Sequence, residues 1–380
     1  MGRAATRPDA FLPEDWMEAT LVGRIQSRAG PTPILIQAGR IHDLSQAVTV
    51  ADLLARWPDV RAGRDLGPVA DFDFDAQPLL APIDLQCVKA AGVTFAVSAV
   101  ERVIEERARG DAARAESIRA DLRDRVGADI RAVTPGSEAA ARLKAALIAD
   151  GLWSQYLEVA IGPDAEIFTK APVLSTVGHG ALIGVRSDSA WNNPEPEVVL
   201  VCDPKGRVVG ATLGNDVNLR DFEGRSALLL GKAKDNNASC ALGPFIRLFD
   251  DGFGIDDVRT AQVDLVIEGA DNYRLEGHSS MDQISRDPLE LVRQAMSEHQ
   301  YPDGFVLFCG TLFAPTQDRD APGQGFTHKV GDVVRVASPR LGVLENEVTT
   351  SKAAPPWTFG VGDLMRNLAG RGLLSAEAAE

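Results

Sequence analysis

Glu195 and Glu197 are the residues around which chemistry can be organised. They stand in Pro194-Glu195-Pro196-Glu197, directly ahead of the apolar run 198–201. That string reads as a buried strand entered from a turn. Side chains two apart on a strand point the same way, so the two carboxylates share a face. Like charges side by side repel, and burying both unpaired is costly. A divalent cation between them removes the difficulty. Asp216 follows a second apolar segment, 208–213, where a hairpin partner strand delivers a third carboxylate. Three oxygen donors with no Cys or His nearby suit a hard ion such as Mg2+. A Glu-x-Glu pair alone is more often a solvated strand edge. Asp216 and Lys234, in Gly231-Lys232-Ala233-Lys234-Asp235, turn the reading towards a metal with a proton-transfer or enolate-stabilising partner.

The surrounding pattern predicts the frame for these groups. Residues 1 to about 30 have few periodic apolar positions and read as an entry arm. Residues 33–37 and 40–44 read as two strands joined by Ala38-Gly39, and Thr49 caps a helix running to Trp57. His42 reads as a packed or surface residue and not as a catalyst. From 98 to about 131 alternating charges with little large apolar content predict a solvated helical pair, either plain surface or a lid. Pro135-Gly136-Ser137 opens another helix to Ile148. Beyond Gly151 short apolar runs at hairpin spacing dominate, with Asp287 to Ser297 the convincing helix. The expected fold is therefore mainly β with α, and not a doubly wound α/β sheet. The expected division is a smaller α/β domain at 1–90, a charged helical lid or linker at 91–150, and a catalytic domain at 151–380. Gly178-His179-Gly180 lacks a strand-to-helix context and reads as a turn, not a phosphate loop.

Composition excludes several classes of function. A formal net charge of -15 argues against nucleic acid and against anionic membranes as partners. It leaves an anionic small molecule open, because a bound metal reverses the local sign. Cys87, Cys202, Cys240 and Cys309 are scattered without CxxC spacing and read as free thiols. Residues 1–20 carry no apolar signal core and no apolar run spans a bilayer, so a cytoplasmic protein is expected.

With Phe168-Thr169-Lys170, Val177-Gly-His-Gly180, Pro194-Glu-Pro-Glu197, Gly214-Asn-Asp-Val217, Arg220-Asp221, Leu242-Gly-Pro244 and Gly310-Thr311 in order, the chain resembles the fumarylacetoacetate hydrolase family over about 150–350. The run from Val177 through Val185-Arg-Ser-Asp-Ser-Ala-Trp-Asn-Asn to Glu197 is similar to the family's 2-keto-3-deoxy-sugar-acid dehydratases, the pentonate (D-xylonate or L-arabinonate) members nearest. The resemblance implies a mixed β-roll, a homodimer or homotetramer, and Mg2+ or Mn2+ held by Glu195, Glu197 and Asp216. Counting back nine residues from Gly243 selects Lys234, not Lys232, as the active-site lysine. Glu166, just before the Phe-x-Lys motif, matches an acid/base residue. Thr311 matches a substrate-facing threonine, and Phe95, Ser98 and Lys170 join it as candidate substrate contacts. Hydrolytic relatives activate water with a His-x-x-Glu dyad, which the segment from Phe95 to Glu101 lacks. Dehydration of a 2-keto acid is thus favoured over acylpyruvate hydrolysis or 2-oxoacid decarboxylation.

Overall fold

A computed structural model describes residues 10–44, 47–60, 62–313 and 315–374, with no side chains described for 120–129. Residues 1–9, within the expected entry arm and signal-free start, and 375–380, within the expected catalytic domain, lie outside the described residues.

The Pro-Glu-Pro-Glu string enters the strand Pro196–Cys202, all of it buried. It pairs antiparallel with Val208–Asp216, placing Glu197 opposite Gly214 and Pro196 opposite Asn215. This hairpin lies inside an eleven-stranded sheet. Its order is Asp65–Pro68, Arg40–Asp43, Gly30–Gln37, Leu21–Ser27, Cys240–Leu248, Val208–Asp216, Pro196–Cys202, Phe305–Phe308, Cys87–Gly92 and Glu166–Ala171, with Leu79–Leu80 attached to Leu21–Ser27. Phe305–Phe308 and Cys87–Gly92 run parallel, so the sheet is mixed. A second sheet of five strands follows the order Arg274–Ser280, Gln262–Glu268, Val333–Ser338, Gly342–Thr350, Leu182–Val185.

The strand period of two divides the hairpin between two cores. Val198, Leu200 and Leu213 face Leu265, Ile267, Val336 and Leu344 of the second sheet. Val199 and Val201 face the opposite way, onto Leu53 and Leu54 of the helix Val50–Arg56. Thr49 caps that helix by accepting from Asp52 N. The result is the expected mainly β roll with helices on its outside. Among the described residues no helix is long and apolar enough to cross a membrane.

Three expectations need correction. The supposed entry arm contains Leu21–Ser27, a strand inside the large sheet whose first five residues are buried. Gly23 and Arg24 interrupt its apolar pattern, and the buried Arg24 donates through Nη1 to Ile83 O. Beyond Gly151, short helices at Gln155–Ile161, Arg220–Glu223, Leu230–Lys234, Ile255–Arg259 and Val361–Gly370 join Pro288–Met296. Most are too short for periodicity to reveal. The charged segment is also no plain solvated surface. Its first helix, Ala96–Ala108, buries Ala99, Val103, Ile104 and Ala108 against Tyr156, Leu157 and Ile161, together with Glu101 and Glu105.

Candidate active site

Glu195, Glu197 and Asp216 each present a carboxylate oxygen to one point, the three oxygens lying within 4.8 Å of one another. All three residues are buried. The ladder sets this geometry, since Asp216 N donates to Glu195 O at 3.0 Å and Glu195 N to Asn215 Oδ1 at 3.2 Å. Glu197 is fixed by Gly310 N, which donates to Oε2 at 2.6 Å. Gly310 has φ +87, and a Cβ there would stand 2.0 Å from Thr94 Oγ1, so the close approach needs glycine.

Positive groups surround the triad. Lys234, at the end of the Leu230–Lys234 helix, donates to Glu195 Oε2 at 2.5 Å and Asp216 Oδ2 at 3.1 Å. Lys170 Nζ lies 2.7 Å from Asp216 Oδ1 and donates to Lys234 O. Arg102 Nη2 donates to Glu195 Oε1 at 2.6 Å, while its Nη1 lies 2.7 Å from Glu105 Oε2 and 3.1 Å from Glu223 Oε2. Burial works against the charge on Asp216, yet the two lysines hold its carboxyl below the ordinary range. Burial, Asp216 and Glu195 all push Glu197 well above it. Burial likewise raises Glu223, to about 7, against the pull of Arg102.

A hard divalent cation fits this donor set. The site offers three converging oxygens, and the crowding that otherwise drives Glu197 towards its neutral form is what a cation relieves. Lys234 and Arg102 already occupy oxygens of Glu195, so the site is wired for positive charge from two sides.

One cleft gathers most of the residues expected from sequence. Ser98, Glu166, Lys234 and Thr311 line it with the three carboxylates. Glu166 opens the edge strand Glu166–Ala171 and is half-buried, its carboxyl raised by burial although Arg102 and Lys234 pull it down. Gly92 opposite leaves it room, since a Cβ there would lie 2.2 Å from Glu166 Oε2. Two residues are placed elsewhere. Phe95 is 1 % exposed and packs in the core between the sheets, starting the Ala96–Ala108 helix. Lys170 is fully buried beneath Asp216 and does not line the cleft. Ser98 lines it while its Oγ bonds to Phe95 O at 2.8 Å.

Arg102 and Glu223 also line the cleft, and sequence reasoning did not find them. Ser98, Arg102 and Glu105 are spaced four and three apart, one stripe of a helix, and that stripe was the available signal. Arg220, stacked 4.3 Å from the Trp191 ring, anchors Glu105 at 2.6 Å and so steadies Arg102 from behind. A larger cavity, of about 470 Å³, lies far along the sheet beside Thr32, Phe72 and Arg371. Its Asp43 and Arg64 pair with one another, and it holds none of these groups.

Lys170 has a measurable structural duty. Lys170→Met is expected to destabilise the fold by about 3–5 kcal/mol, the scale for removing one partner of a buried ion pair. Urea denaturation without added metal checks this, and an unchanged midpoint would contradict it.

A family model for the fumarylacetoacetate (FAA) hydrolase C-terminal region matches residues 160–349, half of the chain. Over 179 residues the chain is 32% identical to a 2-dehydro-3-deoxy-D-arabinonate dehydratase of Saccharolobus solfataricus, covering 47% of this chain and 57% of that protein. Over 195 residues it is 32% identical to a "Probable 2-keto-3-deoxyxylonate dehydratase" of Haloferax volcanii, covering 51% and 64%. The chain thus matches somewhat under two thirds of the length of both relatives. A solved structure of 2-keto-3-deoxy-D-arabinonate dehydratase complexed with magnesium and 2,5-dioxopentanoate shares the fold. Its TM-score is 0.63 at 23% identity, over 87% of this chain and 99% of that one. A fumarylacetoacetate hydrolase from Exiguobacterium antarcticum superposes with a TM-score of 0.54 at 18% identity, over 87% and 100%. From the ordered motifs, the roll and the matched region together, the chain belongs to the fumarylacetoacetate hydrolase family.

Proposed function

We propose that this protein is a Mg2+-dependent hydro-lyase. It converts a five-carbon 2-keto-3-deoxy sugar acid, D-xylonate- or L-arabinonate-derived, to 2-ketoglutarate semialdehyde. The observation that carries the reading is one cleft holding three convergent carboxylates with Lys234 and Glu166 at its wall. The names of the two curated relatives supply the substrate class.

Glu195, Glu197 and Asp216 would hold the metal. Bound there, Mg2+ would supply the positive charge that acidifies the C3 protons of a 2-keto acid. Glu166 is the proton-transfer group: it takes a proton from C3 and gives one to the departing C4 hydroxyl, which leaves as water. Its raised carboxyl pKa suits both halves of that exchange. Lys234 is held as an ammonium, since the attraction of Asp216, Glu195 and Glu223 outweighs its burial. It serves as a fixed cation for the substrate carboxylate. Elimination leaves a C3–C4 enone with a C5 hydroxymethyl group. Loss of a C5 proton with protonation at C3 gives the C4–C5 enol, and protonation at C4 as the enol O–H proton leaves gives the C5 aldehyde.

Incubation with Mg2+ and a panel of 2-keto-3-deoxy sugar acids, read by mass spectrometry, tests this. Loss of one water from a five-carbon acid is the expected result. Carbon–carbon cleavage or loss of CO2 in its place would overturn the dehydratase reading.

A further inference from the structure

Beyond Arg102 the cleft opens into a side pocket. The two spaces share Ser98, Arg102, Glu195 and Thr311, and the side pocket adds Asn193 and Asn218. The two asparagines are partners in a short ladder, Asn218 opposite Asn193. Each stands two residues from a carboxylate of the triad, Asn193 from Glu195 and Asn218 from Asp216. Two residues of backbone span at most about 7 Å, comparable with the length of a five-carbon chain, and both asparagines line the side pocket together with Glu195.

Asn218 is fully buried, and among the described residues neither its Oδ1 nor its Nδ2 has a hydrogen-bond partner. Asn193, 3 % exposed, uses Nδ2 on Pro194 O at 2.8 Å but leaves Oδ1 unpartnered. A buried amide without partners is unfavourable, so this wall is built for a ligand that both donates and accepts. The charged lining does not ask for an ion. Arg220 is matched by Glu105 at 2.6 Å and Glu101 at 3.3 Å, and Arg102 by Glu105 at 2.7 Å. What remains unmet is amide hydrogen bonding, and a neutral hydroxyl group meets it.

We propose that Asn218, aided by Asn193, is the subsite for the substrate's distal hydroxyl. The inference rests on the dehydratase reading, with the keto-acid end at the carboxylates. The pocket has room for about one water-sized group. It therefore takes the terminal hydroxyl of a five-carbon acid and resists the extra hydroxymethyl carbon of a six-carbon one.

The test compares wild type with Asn218→Ala, using Mg2+ with oxalate, which has no distal hydroxyl, and with 2-keto-3-deoxy-pentonate and -hexonate. Calorimetry should give the same oxalate affinity for both proteins. KM for the pentonate should rise about tenfold, more than kcat falls, and the preference over the hexonate should shrink. A lowered melting temperature with unchanged pentonate KM and unchanged preference would make the asparagines structural and overturn the proposal. If Asn218→Ala does not fold, Asn218→Ser and Asn193→Ala carry the same comparison and are judged the same way. Wild type that fails to bind oxalate with Mg2+ would overturn the chelating reading and the subsite with it. Normal oxalate binding with unchanged pentonate KM in the variants sinks the subsite alone.

Discussion

Glu197→Gln is expected to lower Mg2+ affinity by at least about a hundredfold and abolish turnover, while leaving the metal-free protein as stable as wild type or more so. The carboxyl sits buried against two others, all three within 4.8 Å, and the hydrogen bond it accepts comes from Gly310 N. A neutral amide keeps an oxygen for Gly310 N and removes the repulsion. Asp216→Asn should lose the metal too, but with a different effect on the fold. Asp216 is the anion for both Lys170 and Lys234, and neutralising it leaves Lys170 buried without a carboxylate. The pair is checked by Mg2+ calorimetry and by melting each variant in chelator. Unchanged Mg2+ affinity in Glu197→Gln would remove that residue from the ligand set.

Turnover should fall by roughly two to four orders of magnitude in Glu166→Gln, the usual scale for a positioned proton-transfer group. Mg2+ and oxalate binding should persist, because Glu166 stands on the edge strand and makes no hydrogen bond to the three carboxylates. In D2O the wild-type product should carry solvent deuterium at C3. Near-normal turnover in the variant would remove Glu166 from the mechanism, and loss of Mg2+ would make it a ligand.

How far the sequence could be read follows from what local pattern encodes. The Pro-Glu-Pro-Glu strand and its hairpin partner are neighbours in the chain, so their pairing, and with it Glu195 beside Asp216, is readable. The ordered motifs gave the family. Arg102 and Glu223 are not readable in this way, because a charged residue on an amphipathic helix looks solvated until its neighbours are known. Only the burial of Ala96–Ala108 against Gln155–Ile161 turns Arg102 inward. Lys170 shows the converse limit. A motif marks it as belonging to the site, and alternation from Glu166 and Phe168 would put it on the cleft face. Yet a register shift between the pairs Val88–Ala171 and Lys89–Thr169 interrupts the ladder at Lys170, which sits against Asp216 and off the cleft wall. Leu21–Ser27 was missed because its pattern is broken by Gly23 and Arg24, and the strand on its other side from Gly30–Gln37, Cys240–Leu248, lies more than 200 residues away.

That last pairing sets the order of assembly. Leu21 finds Arg247, and Cys87 finds Phe305, so the large sheet closes through contacts that only a nearly finished polypeptide can make. During synthesis the hairpin of Leu21–Ser27 and Gly30–Gln37 can form at once, but its free edge must wait for Cys240–Leu248 to emerge. Non-local pairing of this kind is slow, and a waiting edge invites wrong partners. Refolding from denaturant should accordingly be sluggish and lose yield as concentration rises. A fragment cut to residues 160–349 would inherit the problem permanently, with Cys240–Leu248 and Phe305–Phe308 each deprived of the strand that covers one side.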